Sequence, residues 1–174
     1  MDVFKEYIVN KKREPIDNVI SAGIVVAALV VTYILLQVML LNMQFFAGIG
    51  LLLIVGCWYF AVKSIKNRNI EYEYILTNHE LDIDKIMARS TRKRLTTIDL
   101  YKIEGFGSIK DTDIENSGRK IKNYAGDISG ERVYYIDIFE EAEPIRILFQ
   151  PSSSMLEAMK ITNPRKISVR DEDL

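Results

Sequence analysis

Two uncharged apolar runs lie almost back to back near the start of the chain, and nothing like them recurs. The first extends from Val19 to Leu41 and the second from Phe45 to Val62. A helix needs about 20 apolar residues to cross the hydrocarbon core of a bilayer. The first run has that length; the second is slightly shorter but sufficient. The pattern predicts a transmembrane helical hairpin over residues 19–62, with everything after Lys63 on one side of the membrane. The first run is too long for the core of a cleaved signal peptide, about 7–15 residues, and a charged segment, residues 1–18, precedes it.

Average composition hides this division. The chain has 174 residues, 48% of them hydrophobic, with a formal net charge of −1. That balance argues against a nucleic-acid partner, which draws on a clearly basic domain. The residues beyond the second run suffice for one small domain with its own core. The single cysteine, Cys57, lies inside the second run, so neither an intrachain disulfide nor a zinc cluster is available. It reads as a small apolar filler at membrane depth.

Positive charge flanks both outer ends of the pair. Lys11, Lys12 and Arg13 precede it, Lys63, Lys66 and Arg68 follow it, and the connection Asn42-Met43-Gln44 is uncharged. The positive-inside bias then places both termini in the cytoplasm and the turn outside, in the inner (plasma) membrane. Trp58 and Tyr59 are expected near the cytoplasmic interface, where amphipathic rings settle. Gly23 with Ala27, and Gly48, Gly50 and Gly56 in the second run, are candidates for close helix–helix contact, since small residues let backbones approach in lipid. Gln37 is the strongly polar side chain inside the first span and a candidate for a hydrogen bond to the partner helix or to a second copy. Neither span holds an ionisable side chain for a proton or ion relay.

Upstream of the spans, Val3, Phe4, Tyr7 and Ile8 fall at helical spacing, predicting a short amphipathic helix over residues 2–10, ended by Pro15. After Ile70 the period changes to two. Residues 70–76 and 81–84 read as a β-hairpin around Thr77-Asn78-His79-Glu80. A third strand is expected near 91–98, and 99–103 as a short extended piece or one helical turn. Residues 105–130 are rich in turn formers, with one short strand at 121–124. Strands at 133–139 and 145–149 follow, joined by a turn at 140–144. Ser154 with Glu157 matches a capping box for a last helix, whose apolar stripe is Met155, Leu156 and Met159. Asn163-Pro164 stops it, and the charged tail 164–174 is expected to be disordered beyond Val169.

The two spans, the segment Glu71–Asp84, and Arg92-Lys93-Arg94 leading into Ile98–Ile103 resemble bacterial pleckstrin-homology-like (PH-like) membrane proteins. Tyr74, Leu76, Thr77 and Leu81 approximate the family's opening strand and turn. Phe149-Gln150-Pro151-Ser152 and Asn163-Pro164-Arg165-Lys166 resemble motifs of a small bacterial group with two spans. The resemblance implies an α+β fold: a transmembrane hairpin, then a PH-like antiparallel β-barrel or sandwich at 70–163, capped by a C-terminal helix.

Arg89, Arg92, Lys93 and Arg94 are the concentrated basic cluster of the soluble part. Close to a bilayer each such charge is worth about 1 kcal/mol of attraction to anionic lipid, and Lys63, Lys66 and Arg68 add to the same field. The opposing reading is a solvated strand edge, where cations discourage edge pairing. No interleaved aromatics for base stacking surround the cluster. His79 reads as a solvated turn residue. Gly105-Phe106-Gly107 lacks the third glycine and following helix of a phosphate loop and reads as a turn. Asp111-Thr112-Asp113-Ile114-Glu115 begins like a calcium loop but has Asn116 where glycine is required. The acidic pair Asp82/Asp84 reads as an outward strand face, and Ser152–Ser154 as the start of the helix. No catalytic residue, cofactor or metal is expected. The function expected is non-enzymatic binding or scaffolding at the membrane, through lipid, a homo-oligomer or a membrane-protein partner. The alternative is an accessory subunit recognised through its transmembrane helices.

Overall fold

In the computed structural model, residues 3–41, 43–111, 118–130 and 132–169 are described, without the side chains of 43–47 and 111. The expected turn residue Asn42, most of the calcium-loop segment and the end of the tail lie outside these residues. The chain divides into two compact units, residues 13–69 and residues 1–12 with 70–174.

The first unit is a helical hairpin of α1 (Pro15–Leu41) and α2 (Met43–Asn67). Pro15 does not terminate an upstream helix. It starts α1, where its missing N–H is no loss and its fixed φ suits the first turn. Asp17 in that turn complements the helix dipole. Gln44 lies within α2 rather than in a turn. Both helices are long and apolar enough to cross a membrane.

The second unit is a sandwich of two four-stranded sheets. The first runs β1 (Phe4–Asn10), β2 (Ile70–Thr77), β3 (Glu80–Met87) and β4 (Thr91–Asp99), antiparallel throughout. The second contains β5 (Gly105–Ser108), β6 (Lys120–Asn123), β7 (Tyr134–Glu140) and β8 (Glu143–Phe149), in the order β5-β7-β8-β6. The β6–β8 pair is parallel. The sheets do not close into a barrel. A helix, α3 (Ser153–Thr162), completes the unit.

Three local expectations are corrected here. Residues 4–10 form strand β1, not an amphipathic helix, pairing with β2 from Phe4↔Thr77 to Asn10↔Glu71. The alternation is two-fold: Tyr7 and Val9 face the core while Glu6 and Ile8 lie on the other face. Gly105–Gly107 belongs to strand β5, not to a turn. The cap of α3 is Ser152, whose hydroxyl accepts from Met155 N–H at 3.3 Å, so Glu157 is no capping-box partner.

The turns follow from backbone chemistry. Asn78 carries φ 56° between β2 and β3, a left-handed conformation that asparagine tolerates. Glu141 and Ala142, φ 51° and 69°, make the two-residue connection of β7 and β8, a geometry that matches strand twist. The core joins Tyr74, Leu76, Leu81 and Ile83 of the first sheet to Ile136, Ile147 and Phe149 of the second, closed by Met155, Leu156 and Met159 of α3. Each fully buried aliphatic side chain contributes about 1.5–3 kcal/mol. Ile167 and Val169, in the segment read as a charged tail, are buried in this same core. Buried Tyr74 satisfies its hydroxyl by donating to Tyr124 C=O at 2.7 Å and accepting from Gln150 N–H at 3.2 Å. Burial pushes its phenol well above the ordinary range.

Candidate binding site

The basic cluster is not a free cationic surface. Arg92 meets Glu73 at 2.7 Å, Arg94 meets both Asp82 and Asp84 at 2.7 Å, and Arg89 meets Glu71 at 3.2 Å. The register makes this unavoidable. Glu73 lies opposite Asp84, and Asp84 opposite Arg94, so two acids from the inner strands face the arginines of β4 on one face of the first sheet. All four side chains are exposed, and among the described residues Lys93 alone of them is unpaired. Glu73 is 0% exposed. Burial, reinforced by the neighbouring Glu6 carboxyl, raises its pKa against the attraction of Arg92. The other proposed cations are divided: Arg68 pairs with Asp17, Lys63 stands over the Tyr59 ring at 5.8 Å, and Lys66 is exposed.

Of the small residues expected at the helix seam, Gly50 is in close contact and the others are not. A Cβ added at Gly23, Gly48 or Gly56 meets nothing within 4 Å. Ala27 and Gln37 are exposed. The close approach is at Gly50, where a Cβ would lie 2.5 Å from Met39 Sδ, with Ala28 and Ala61 buried. Trp58 also ties the two helices together. Its indole N–H donates to Thr32 Oγ1 at 3.1 Å, and Thr32 in turn donates to Ala28 C=O. Helical phase decides this: small residues matter only on the turn that faces the partner, which run composition does not reveal.

His79 stacks on Tyr101 with ring centroids 5.2 Å apart, in the β2–β3 turn. Among the described residues no three His, Cys, Asp or Glu side chains group as metal ligands.

An open cleft of about 390 Å³ lies between the N-terminal end of β1 and α3, lined by Val3, Phe4, Lys5, Glu157, Ala158 and Ile161, with Ser154 at its rim. Phe4 is 63% and Ile161 71% exposed. Since β1 is an edge of its sheet, one side of its backbone is unpaired there. The far end of β1 is fixed firmly: Lys12 N–H donates to Gly126 C=O at 2.9 Å, and Lys12 Nζ meets Asp127 at 2.7 Å. The sequence reading missed this cleft because it placed β1 as a separate helix.

It also missed a charged group on the second sheet. Asp137 and Arg146 are opposite each other on β7 and β8 and form a two-bond fork, Nε–Oδ1 2.7 Å and Nη2–Oδ2 2.8 Å. Arg119 Nε stands 3.5 Å from the same Oδ2. Arg146 stacks on Tyr135 at 4.1 Å, and its bond to Asp137 raises its pKa further. One signal was present: Asp137 and Arg146 each interrupt the apolar centre of a strand, on either side of a short turn.

Among curated proteins and among solved structures, nothing matches the chain. A family model described as Bacterial PH-like domain (DUF6106) matches residues 1–169, including β1, both long helices, the sandwich and α3. The chain therefore belongs to this bacterial PH-like domain family.

Proposed function

We propose that this chain is a non-enzymatic, membrane-anchored binding module that holds an extended, partly apolar segment of a partner protein along β1 and α3. The observation that carries this reading is the cleft itself: exposed Phe4 and Ile161 beside an unpaired strand edge. Edge strands bind extended peptides by backbone hydrogen bonds, and neighbouring pockets select side chains. PH-like domains are generally non-catalytic, which supports binding over chemistry. The internal pairing of Arg89, Arg92 and Arg94 favours a protein partner over anionic lipid.

Membrane anchoring is supported by two helices of sufficient length and by their outward apolar side chains, such as Leu29, Ile34, Leu52 and Phe60. A surface of that kind needs lipid or protein cover. The hairpin is inserted between two hydrogen-bonded strands, β1 and β2, so both of its ends belong on one side. Lysines and arginines at both ends favour the cytoplasm for that side.

The test places a photo-crosslinking residue at Glu157 in cells producing the full chain, with a second at Leu36 on α1. Adducts from Glu157 that vanish in Ile161→Asp support the cleft. Adducts only from Leu36 overturn it in favour of an accessory subunit recognised through its helices, a reading favoured by outward-facing Gln37.

A further inference from the structure

On the outer face of the second sheet, two guanidiniums share one carboxylate. Asp137 balances one of them, leaving a net positive charge where Arg146 is only 6% exposed. Among the described residues, each arginine also keeps a buried Nη1 with no hydrogen-bond partner. A charged donor buried without an acceptor is strongly unfavourable. Stacking on Tyr135 eases the charge on Arg146 but supplies no acceptor.

This imbalance specifies what would complete the group. One remaining charge calls for a monoanion. Two unsatisfied donors on separate planar guanidiniums call for an anion with two acceptor oxygens, which is the chemistry of a carboxylate. A phosphomonoester dianion would overshoot the charge. Beside the group lie two exposed apolar side chains. Phe139 is 5.8 Å from the Arg119 guanidinium, and Ile121 is the register neighbour of Arg146. We propose that Arg119 and Arg146 form a binding site for a carboxylate joined to an apolar group.

The two arginines have different parts. Arg146 is fixed by its fork to Asp137 and by Tyr135. Arg119 is the more accessible of the two, its side chain 24% exposed, directly after Gly118 at φ 61°. The glycines of β5 make room for the arrangement. A Cβ at Gly107 would lie 3.0 Å from the Tyr135 ring, and one at Gly105 would lie 3.2 Å from Asp137 Oδ2.

The test uses the full chain in phosphatidylcholine nanodiscs, titrated with hexanoate, with uncharged hexanamide, with acetate and with inorganic phosphate, and followed by calorimetry and hydrogen exchange. Saturable hexanoate binding that slows exchange in residues 118–123 and 134–149 is expected, with hexanamide inert and acetate and phosphate weaker. Arg119→Gln should weaken hexanoate binding about ten- to hundredfold, as loss of a charged hydrogen bond implies. Phe139→Ser, at an exposed position that does not threaten folding, should weaken hexanoate while leaving acetate unchanged. Equal binding of hexanamide, tighter binding of phosphate, no saturable binding, or an unchanged Arg119→Gln would each overturn the assignment.

Discussion

Gly126 is where the N-terminal strand is locked to the rest of the sandwich, so Gly126→Ala is the sharpest test of that lock. A Cβ there would lie 2.2 Å from Val9 Cγ1 and 2.6 Å from Asn10 C=O. Val9 packs against the core and the Asn10 oxygen is backbone, so neither can yield by a simple rotamer change. Overpacking of this kind costs about 1–3 kcal/mol. Relief comes by moving the end of β1 away, which breaks the 2.9 Å bond from Lys12 N–H to Gly126 C=O. If the whole cost falls on local opening of β1, amide exchange over residues 4–10 accelerates roughly 5- to 150-fold. If it falls on global stability, the melting temperature drops roughly 2–4 °C for each kcal/mol. Both are measured on the full chain in detergent by exchange mass spectrometry and thermal circular dichroism. Gly23→Ala, where a Cβ meets nothing within 4 Å, is the control and should leave both unchanged. A Gly126→Ala protein with native melting and native exchange in β1 would refute the reasoning.

Glu73 makes the sandwich sensitive to pH. Its folded-state pKa is raised above the ordinary 4.5, so the folded state holds the proton more tightly than the unfolded chain. That stability is present below 4.5 and lost as pH rises through the raised value; Glu73→Gln should flatten this part of a melting-temperature profile between acid and neutral pH, and an unaltered profile would count against it. Tyr74→Phe removes the bridge between Tyr124 C=O and Gln150 N–H and should destabilise the full chain by about 1–3 kcal/mol in urea unfolding. Trp58→Phe removes the bond to Thr32 while Thr32 keeps Ala28 C=O; a loss of about 0.6 kcal/mol and no more than about 1.7 is expected for the hairpin in steric-trapping measurements.

The parts of the fold legible in the sequence are those set by local periodicity. The apolar runs mark α1 and α2, alternation from Ile70 marks β2 and β3, and the stripe Met155, Leu156 and Met159 marks the buried face of α3. Residues 4–10 defeated the same method because Phe4, Tyr7 and Ile8 satisfy helical spacing while Tyr7 and Val9 satisfy a strand. Only pairing with β2, which lies beyond the whole hairpin, decides between them. Tertiary context likewise hid the charge pairs. Asp137 and Arg146 become partners once Glu141-Ala142 is fixed as a two-residue turn, since the register then sets them opposite. A turn drawn one residue wider shifts every partner and conceals the pair. The basic run at Arg92–Arg94 was read without the acids that a neighbouring strand brings to it.

Pairing of β1 with β2 across the hairpin also couples the two units energetically. Were the chain between Lys12 and Ile70 a flexible loop, closing it would cost roughly 3–4 kcal/mol. The hairpin removes most of that cost, because its antiparallel helices bring their outer ends together: Arg68 pairs with Asp17, and Arg13 bonds to Asn69. Strand β1 contributes Tyr7 and Val9 to the core and forms one wall of the cleft. Association of the two helices therefore favours the state in which β1 is seated and the cleft exists. Conversely, a peptide held against β1 stabilises its pairing with β2 and, by linkage, the closed hairpin. A hairpin attached at one end would leave β1 unaffected, whereas a hairpin threaded between β1 and β2 makes the seating of β1 depend on the pairing of the two helices.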